Sequence, residues 1–538
     1  MALTLSPGAL SVLERRYLKK DNSGRVIETP EGMFRRVAGN ISQAEGRWGG
    51  QAAVEKYEEI FYGMLSSLEF LPNSPTLMNA GRRLQQLAAC FVIPVEDSLD
   101  SIFEAVKETA VIHQSGGGTG FSFSRLRPAQ DIVGSTGGVA SGPVSFMRVF
   151  NAATDAIKQG GTRRGANMGI LRVDHPDIIS FITAKEDPGE FVNFNLSVAV
   201  TDEFMDALEK GAQYPLVNPR TGRMSGTKSA KEVFDLITEC AWRSGEPGAI
   251  FIDRINSANP TPHIGSFEAT NPCGEQPLLG YEPCNLGSIN LSKMLKREGK
   301  AWKTDYAKLD KTVRLSVRFL DNVIEMCRYP ADRIDAMAKA NRKIGLGVMG
   351  FADMLARLRV PYGGAEGVET GEGVMKFISA AGWDESRELA KARGAFPNIK
   401  GSVFDRPGAV PVRNATVTTV APTGTLGIIA GCSSGIEPFF SLCYTRHAVG
   451  GAVEIEETNR LIEEAAREEG FYTPGLMDFI AKGGSIKERE DVPERVREIF
   501  ATAFDISPDD HVRMQAAFQR YTDNAVSKTI NLPHDSTP

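Results

Sequence analysis

The sequence predicts an α/β protein that is preceded by a helical region. From Leu3 to Leu71, charged and apolar residues are interleaved at helical spacing, which is typical of amphipathic helices. Pro72 and Pro75 end this pattern, because proline cannot continue a helix. Beyond them, short apolar runs alternate with helical stretches, which favours a largely parallel sheet flanked by helices. We therefore place a helical region at residues 1–72 and an α/β region at residues 73–538.

Individual elements of the α/β region follow from the same patterns. Apolar runs of strand length and longer stretches with helical periodicity alternate along the chain. The predicted strands include Ala88 to Val92, Phe194 to Val200 and Ala415 to Val420. The predicted helices include Val144 to Lys158 and Ala230 to Arg243. Periodicity alone does not determine whether the sheet closes into a barrel.

Composition limits the classes of partner. The net charge of -6 and the pI near 5.8 leave no basic surface for nucleic acid. No apolar run reaches the roughly 18 residues that a membrane-spanning helix needs. The segment from Met1 to Lys20 has no signal-peptide pattern, so we expect a cytoplasmic protein. Its thiols should then be reduced unless catalysis oxidises them.

The cysteines and histidines do not have the spacing of a metal site. Seven cysteines and six histidines are dispersed along the chain, without a Cys-x-x-Cys pair, so we predict no metal centre. Cys327 continues the apolar stripe formed by Val313, Val317, Leu320 and Ile324 at three-and-four spacing. It is predicted to lie in the core.

Three glycine-rich segments are candidates for binding an anion or a nucleotide. Ser115–Gly120 and Ala421–Gly427 combine glycine with hydroxyl groups, and a helix that begins at such a loop favours a phosphate. Neither matches the Walker pattern, and each is alternatively a tight turn. Gln159–Gly169 carries two arginines and is either a nucleotide-contacting loop or a solvated surface loop.

The most informative segment is Asn271-Pro-Cys273-Gly-Glu275, which is followed by Cys284. If its backbone is extended, the amide, thiol and carboxyl groups lie on one side, because strand side chains alternate. They would then present a hydrogen-bond donor, a radical carrier or nucleophile, and an acid/base group to one small substrate. The alternative is a structural loop with a buried cysteine, since cysteine is among the most buried residue types.

The order of several segments distinguishes these alternatives, because together the segments resemble the ribonucleotide reductase catalytic subunit over Phe61 to Pro533. The matching segments are Asn73–Thr76, Leu87–Phe91, Asp97–Ser101, Gly116–Gly120, Ser135–Gly138, Gly160–Gly165, Asn271–Glu275, Cys284–Gly287, Ile344–Gly350 and Pro422–Thr425. The resemblance implies a ten-stranded α/β barrel with a central finger loop that carries the Asn-x-Cys-x-Glu triplet.

Two sequence segments are similar to those of the adenosylcobalamin-dependent reductases, class II. They are Asn-Pro-Cys-Gly-Glu-Gln-Pro-Leu, ending at Leu278, and the segment from Met514 to Asn531. The class I large subunit, which needs a separate radical-generating subunit, usually differs at both places and is the nearest alternative. The glycyl-radical class normally lacks the glutamate and the second redox cysteine. Glu275 and the pair Cys90 and Cys284 therefore argue against it.

The resemblance also implies roles for the catalytic residues. With adenosylcobalamin as cofactor, Cys273 would carry a thiyl radical that removes the 3′-hydrogen of the ribose. Glu275 would take up the 3′-hydroxyl proton as the 2′-hydroxyl leaves as water. Asn271 would hold the hydroxyl groups by its amide. Cys90 and Cys284 would supply two electrons and become a disulfide.

Binding residues are implied in the same way. The positions that match the family's substrate site are Ser74, Ala89, Gly118, Pro422, Thr423, Gly424, Thr425 and Leu426. Asp97 and Arg127 match positions near the specificity-effector nucleotide. The expected partners are a ribonucleoside di- or triphosphate, a deoxynucleotide or ATP effector and a thioredoxin-like reductant.

Two departures from the family limit these expectations. The sequence lacks the N-terminal ATP-cone of many relatives, so we expect no overall-activity control at such a site. It also ends at Pro538, before the last barrel elements and the Cys-x-x-Cys tail of class II relatives. We therefore expect either a homodimer or a complex in which a second chain supplies the C-terminus.

Two further alternatives for the function are a non-catalytic nucleotide-binding subunit and, with less support, a thiol–disulfide oxidoreductase.

Overall fold

A computed structural model describes residues 3–134, 137–157, 165–448 and 453–538. The strands, in chain order, are β1 (Phe70–Pro72), β2 (Cys90–Val92), β3 (Gly118–Ser122), β4 (Ile132–Val133), β5 (Gly138–Val139), β6 (Asn167–Arg172), β7 (Phe194–Val200), β8 (Gln213–Asn218), β9 (Arg223–Ser229), β10 (Gly248–Phe251), β11 (Ala269–Thr270), β12 (Pro277–Leu278), β13 (Pro283–Asn290), β14 (Leu295–Glu298), β15 (Ala301–Thr304), β16 (Ile344–Met349), β17 (Cys443–Ala448) and β18 (Val453–Thr458).

The α-helices are α1 (Pro7–Arg16), α2 (Pro30–Ser42), α3 (Gly46–Ser66), α4 (Ser74–Asn79), α5 (Leu99–Gln114), α6 (Pro143–Ala156), α7 (Ile178–Ile182), α8 (Asp202–Glu209), α9 (Ala230–Ser244), α10 (Ile252–Ser257), α11 (Tyr306–Met326), α12 (Asp332–Asn341), α13 (Phe351–Leu358), α14 (Ala365–Arg393), α15 (Gly424–Ala430), α16 (Arg460–Glu469), α17 (Pro474–Ala481), α18 (Glu494–Ile499) and α19 (Pro508–Gln519). Short 3₁₀ turns lie at Gln43–Glu45, Leu291–Lys293 and Pro397–Ile399.

The chain begins with helices, as the sequence predicts. The hydroxyl of Ser6 accepts a hydrogen bond from the backbone of α1, and Thr29 does the same for α2. Each cap precedes a proline in the first helical turn, where the missing N–H costs nothing. Helices α2 and α3 pack together through fully buried side chains such as Phe34 and Phe61.

A curled sheet of eight strands forms the centre of the α/β region. The strand order is β1-β13-β2-β3-β6-β7-β10, and β16 also pairs with β13. The pairs from β2 through β3, β6 and β7 to β10 are parallel, as is β13 with β16. Strands β1 and β2 are antiparallel to β13. The prediction of a largely parallel sheet is therefore confirmed.

Two extended segments continue this sheet beyond β16. Thr418 bridges to Leu346 of β16, and Val420 bridges to Val526, both in parallel. Among the described residues, the sheet thus has eight strands and two bridged segments, consistent with the ten-stranded barrel architecture. The segment Ala415–Val420 was predicted as a strand but forms only isolated bridges. One reason is that the Asp523 carboxylate accepts the backbone N–H groups of Val417 and Thr418, each at 2.9 Å.

Other sequence expectations can be compared directly. Strand β7 has the predicted bounds, β2 lies within the predicted run, and α6 and α9 match their predicted helices closely. The stripe on α11 is buried, and Cys327 at its end is 6% exposed, so its assignment to the core is confirmed. Lys158, Ser135, Thr136 and the arginines of the Gln159–Gly169 segment lie outside the described residues.

Helices α11 and α14 pack against each other, and α11 covers β13 and β16. Their buried apolar residues belong to one continuous core that also includes the helical region and the outer faces of the strands. No helix among the described residues is long and apolar enough to cross a membrane.

Candidate active site

A short hairpin carries the triplet to the centre of the sheet. Strands β11 and β12 pair in antiparallel fashion and flank Asn271–Gln276. The backbone of this tip is a turn, in which the Gly274 N–H donates to the Asn271 carbonyl at 3.1 Å and Gly274 has φ of 80°. The condition of an extended backbone is therefore not met at this tip. A turn that needs a positive φ selects glycine at position 274.

The turn still brings the predicted groups together. The Asn271 amide Nδ2 donates to Oε2 of Glu275 at 2.8 Å and approaches Sγ of Cys90 to 3.2 Å. Asn271 and Glu275 are each 2% exposed, whereas Cys273 at the tip is exposed. The amide, the carboxyl group and one thiol are thus buried in mutual contact, and a second thiol is accessible.

Neighbouring strands hold the hairpin in place. The backbone carbonyl of Glu275 accepts from Thr419 Oγ1 at 2.9 Å and from the Ala525 N–H at 3.0 Å. The Asn195 amide donates to the Pro272 carbonyl at 2.7 Å. A Cβ atom on Gly120 would lie 1.7 Å from the Thr270 carbonyl oxygen, so only glycine allows this approach of β3 to the hairpin.

Sequence reasoning missed these supporting residues. Asn195 is a polar residue inside the apolar run of β7, and that exception is a signal that could have identified it. For the segment that contains Gly120, the sequence leaves open an anion-binding loop or a tight turn. This segment follows α5 and enters β3, so no helix begins there and the phosphate-site hypothesis loses its premise.

Cys90 and Cys284 lie directly opposite each other on the antiparallel strands β2 and β13. Opposed Cα atoms in such pairs are about 4.5–5.5 Å apart, which lies within the range of roughly 4.4–6.8 Å that a disulfide requires. No disulfide joins any of the cysteines among the described residues, so the pair is in its dithiol state. The prediction that they could approach closely agrees with this register.

The local environment keeps both thiols protonated. Cys90 is 4% and Cys284 0% exposed, and both pack in an apolar cluster with Leu278 and Ala421. Burial raises the pKa of Cys90, and the charge of Glu275 raises it further. Burial also raises the pKa of Cys284, while Lys343 opposes this rise. As neutral, buried thiols they are able to supply hydrogen atoms and electrons to a substrate bound beside them.

The predicted binding residues occupy several places around this centre. Ala89 precedes Cys90, and its carbonyl accepts the Gly118 N–H at 2.8 Å. Ser74 begins α4, directly after β1, which pairs with β13, and its hydroxyl lies 2.7 Å from that of Tyr17. The segment Pro422–Leu426 leads into α15 and follows Ala421 of the thiol cluster.

The two predicted effector residues meet at a different place. Arg127 and Asp97 form an ion pair at 2.9 Å, and both side chains are about a quarter exposed, at 22% and 25%. The backbone N–H of Arg127 also donates to Asp97 at 3.2 Å. They lie beside the small β4–β5 hairpin, because Arg127 also donates to the Ile132 carbonyl at 3.0 Å.

Two family models match the chain. The model described as "Ribonucleotide reductase, all-alpha domain" covers residues 3–85, and "Ribonucleotide reductase, barrel domain" covers residues 88–408 and 404–538. The chain belongs to the ribonucleotide reductase family. The expectations of a helical N-terminal region and a reductase barrel are thereby confirmed, while the boundary at residue 72 stays a prediction.

Individual relatives agree with this assignment. A "Vitamin B12-dependent ribonucleoside-diphosphate reductase" from Thermoplasma acidophilum is 48% identical over 99% of this chain and 76% of its own length. A protein of the same name from Mycobacterium tuberculosis is 49% identical, with the same coverage of 99% and 76%. Because these similar reductases carry B12 in their names, the class I alternative is not favoured.

A solved structure supports the fold. The class Id ribonucleotide reductase alpha subunit of Actinobacillus ureae aligns with a TM-score of 0.78 at 21% identity, covering 97% of this chain and 90% of that chain. This identity is low, so the similarity bears on the fold alone.

Proposed function

We propose that the chain reduces ribonucleoside diphosphates to 2′-deoxyribonucleotides with adenosylcobalamin as its cofactor, and so supplies DNA precursors. The family match and the two B12-dependent relatives support the reaction and the cofactor. The observation that carries the proposal is the arrangement of three thiols, a carboxyl group and an amide around one hairpin tip. The names of the relatives favour a diphosphate over a triphosphate substrate.

Cys273 is the proposed hydrogen-atom carrier. Its position at the tip, exposed beside the buried groups, fits a side chain that must reach both cofactor and substrate. Bound adenosylcobalamin would supply the radical chemistry that converts the Cys273 thiol to a thiyl radical. This Cys273 radical would take the 3′-hydrogen atom of the ribose and return it once the 2′-position is reduced.

Asn271 and Glu275 are proposed to act on the hydroxyl groups. Their contact at 2.8 Å orients the carboxyl group, which lies in a buried site where a proton can be held at Oε1 or Oε2. Glu275 takes up the 3′-hydroxyl proton while the 2′-hydroxyl leaves as water. The Asn271 amide, already a donor to this carboxyl group, holds the substrate hydroxyls in register.

Cys90 and Cys284 are proposed as the reductant. Two thiols lose two electrons and two protons, the 2′ C–O bond is replaced by a C–H bond, water is released, and an S–S bond forms. The opposed register of β2 and β13 supports this role, because the bond can form with little movement of the backbone.

The binding assignments are proposals from the same resemblance. Ser74, Ala89, Gly118 and the loop Pro422–Leu426 are assigned to the substrate and its phosphates. Asp97 and Arg127 are assigned to a deoxynucleotide or ATP effector. Their ion pair beside the β4–β5 hairpin would supply charged groups for binding it.

The proposed partners follow from the chemistry and one exposed surface. A thioredoxin-like dithiol must reopen the disulfide, which suits the reducing cytoplasm. Leu99, Phe103 and Val111 of α5 are 63%, 53% and 42% exposed. Such an apolar helix face supports self-association into a homodimer.

The direct test is turnover of ribonucleoside diphosphates with adenosylcobalamin and dithiothreitol. We expect deoxyribonucleoside diphosphate product that depends on the cofactor and needs no second subunit. Product that appears only with a separate radical-generating subunit would instead support class I. Nucleotide binding without any product would support a non-catalytic binding subunit.

A further inference from the structure

A buried ion pair lies behind the two opposed thiols. Lys343 Nζ contacts Glu282 Oε2 at 2.7 Å, and the two side chains are 0% and 1% exposed. Glu282 also accepts from the Asn341 amide at 2.6 Å and from the Leu279 N–H at 2.8 Å. The ammonium group lies 4.4 Å from the Phe267 ring centroid.

Strand register brings this pair to Cys284. Asn285 of β13 is paired with Ile344 of β16, so Lys343, one residue earlier, is the lateral neighbour of Cys284. Cys90 is the neighbour of Cys284 on the other side. Laterally paired residues of adjacent strands project to the same face of a sheet. Cys90, Cys284 and Lys343 therefore form a row across three strands.

Among the described residues, three charged groups and one thiol act on Cys284. Lys343 is the cation, Glu282 and Glu275 are the anions, and Cys90 is the neighbouring thiol. Burial raises the pKa of Cys284, Lys343 lowers it, and Glu282 and Glu275 raise it. In a site of low dielectric constant such charges act strongly on a neighbouring group.

A buried ion pair is poor evidence for stability, because desolvation of both charges can exceed their attraction. A purely structural role would be to join the Leu279–Pro283 turn to the start of β16. That role does not explain why the cation lies at the strand position next to Cys284. An effect on the sulfur atom has a different consequence, which can be measured.

We propose that Lys343 is a positioning residue that stabilises the Cys284 thiolate when the Cys90–Cys284 disulfide is reopened, and that its ion-pair partner Glu282 opposes this stabilisation. The proposal rests on the proposed function of the two thiols as reductant. It goes further in assigning the direction of the exchange.

The assigned step is a thiol–disulfide exchange with an external dithiol. A thiolate of the dithiol attacks the sulfur of Cys90, which is the more exposed of the pair at 4% against 0%. The S–S bond breaks, and Cys284 leaves with the electron pair and then takes up a proton. The second thiol of the dithiol attacks the mixed disulfide, which releases Cys90 and oxidises the dithiol. Stabilising the leaving thiolate accelerates the first exchange.

The test uses enzyme that has been oxidised by turnover without thiol. The rate of disulfide reduction by dithiothreitol is measured against pH for the wild type, Lys343→Met, Lys343→Arg, Glu282→Gln and the double variant Lys343→Met/Glu282→Gln. We expect Lys343→Met to slow reduction about tenfold, as expected for loss of a neighbouring opposite charge. Glu282→Gln should accelerate reduction, and Lys343→Arg should stay near the wild type.

The opposite signs distinguish an electrostatic role from a structural one. Either single variant breaks the ion pair, so a structural role predicts that both variants slow reduction. That result would overturn the proposal. The double variant leaves no unpaired buried charge and should still be slower than the wild type. If thermal melting shows that Lys343→Met does not fold, the double variant still tests the proposal. A rate of reduction in the double variant equal to that of the wild type would contradict it.

A second measurement does not depend on turnover. The ultraviolet absorbance of the Cys284 thiolate is titrated in reduced protein, as the difference between each variant and the same variant with Cys284→Ser. The pKa of Cys284 should be lowest in Glu282→Gln and highest in Lys343→Met, and any other order would overturn the proposal. If turnover yields no Cys90–Cys284 disulfide, the proposed function fails, whereas this titration tests the electrostatic effect separately.

Discussion

Of two buried polar clusters in this protein, one holds a charged carboxylate and the other holds neutral thiols. Where the helical region meets the barrel, Asp321 is fully buried, and Arg342 and Arg393 each contact it at 2.7 Å. Burial raises the pKa of Asp321, but Arg342, Arg413 and Arg393 outweigh this effect and hold it well below its usual range. At the barrel centre, burial is the largest effect on Cys90 and Cys284, and it raises the pKa of both thiols despite the opposing charge of Lys343 on Cys284.

The difference shows how burial serves structure in one cluster and chemistry in the other. In the junction cluster every charge has a partner of opposite sign, including Glu45 on Arg393 and Glu325 on Arg342. This cluster fixes the helical region on the barrel. At the proposed active site, burial keeps the thiols protonated, and the strand register holds them close to each other.

The largest effect is expected at the proposed active site, from removal of the proposed radical carrier at the exposed tip of the hairpin. Cys273→Ser keeps the shape but replaces a weak S–H bond with a much stronger O–H bond, so hydrogen-atom transfer should stop. We expect product formation to fall to background, a loss of at least about 10⁴-fold. The measurement is deoxynucleotide formation with adenosylcobalamin and dithiothreitol.

The matched control is Cys240→Ser, a buried cysteine on α9 outside the proposed site. It should retain activity within a few-fold of the wild type. More than about one per cent of wild-type product with Cys273→Ser would place the carrier elsewhere.

The junction cluster should respond in stability instead of activity. Asp321→Asn leaves three guanidinium groups without their shared carboxylate, and breaking a buried ion pair costs about 3–5 kcal/mol. We expect this loss in the free energy of unfolding, measured by urea denaturation. The control Glu388→Gln removes an exposed partner of Lys391, where the side chains are 57% and 64% exposed. It should cost under about 1 kcal/mol, and an equal effect of both variants would contradict the contrast.

The two kinds of burial also predict different responses to pH. Nε2 of His113 forms a hydrogen bond with the hydroxyl of Thr119, a residue of β3, at 2.9 Å. Burial lowers the pKa of His113 to about 4. Because the unfolded imidazole has a pKa near 6.5, the unfolded state binds the extra proton as the pH falls. Stability should therefore drop between about pH 6.5 and pH 4, by on the order of 3 kcal/mol.

His113→Gln isolates this contribution, because glutamine can keep a hydrogen bond to Thr119 but does not titrate. The variant should lack this part of the stability loss in denaturation curves across that pH range. Asp321 has a depressed pKa, so its contribution is present above about pH 4 and is lost only in stronger acid. A His113→Gln variant with the wild-type pH slope would refute the assignment to His113.

Sequence patterns predict much of this fold because its signals are local. The apolar run of β7 and the stripe of α11 follow from periodicity, and the helix starts follow from Ser6-Pro7 and Thr29-Pro30. The proposed catalytic triplet could be found because its residues lie within five positions.

Other features depend on contacts between distant parts of the chain. Lys343 reaches Cys284 only because β16 pairs with β13, and Gly120 is required only because the hairpin crosses β3. The turn at Asn271–Gln276 does not follow from the triplet itself, because residue types at alternate positions do not reveal a positive φ at Gly274. No sequence pattern encodes such three-dimensional contacts directly.

The most direct test of the proposed reductant is to map disulfides after one turnover. Reduced protein is mixed with a ribonucleoside diphosphate and adenosylcobalamin, without added thiol, and its peptides are alkylated and mapped by mass spectrometry. We expect about one Cys90–Cys284 disulfide per deoxynucleotide formed, because each reduction consumes two thiols, with Cys273 still reduced. A disulfide that involves Cys240, Cys432 or Cys443 instead, or product without any disulfide, would contradict the roles assigned to Cys90 and Cys284.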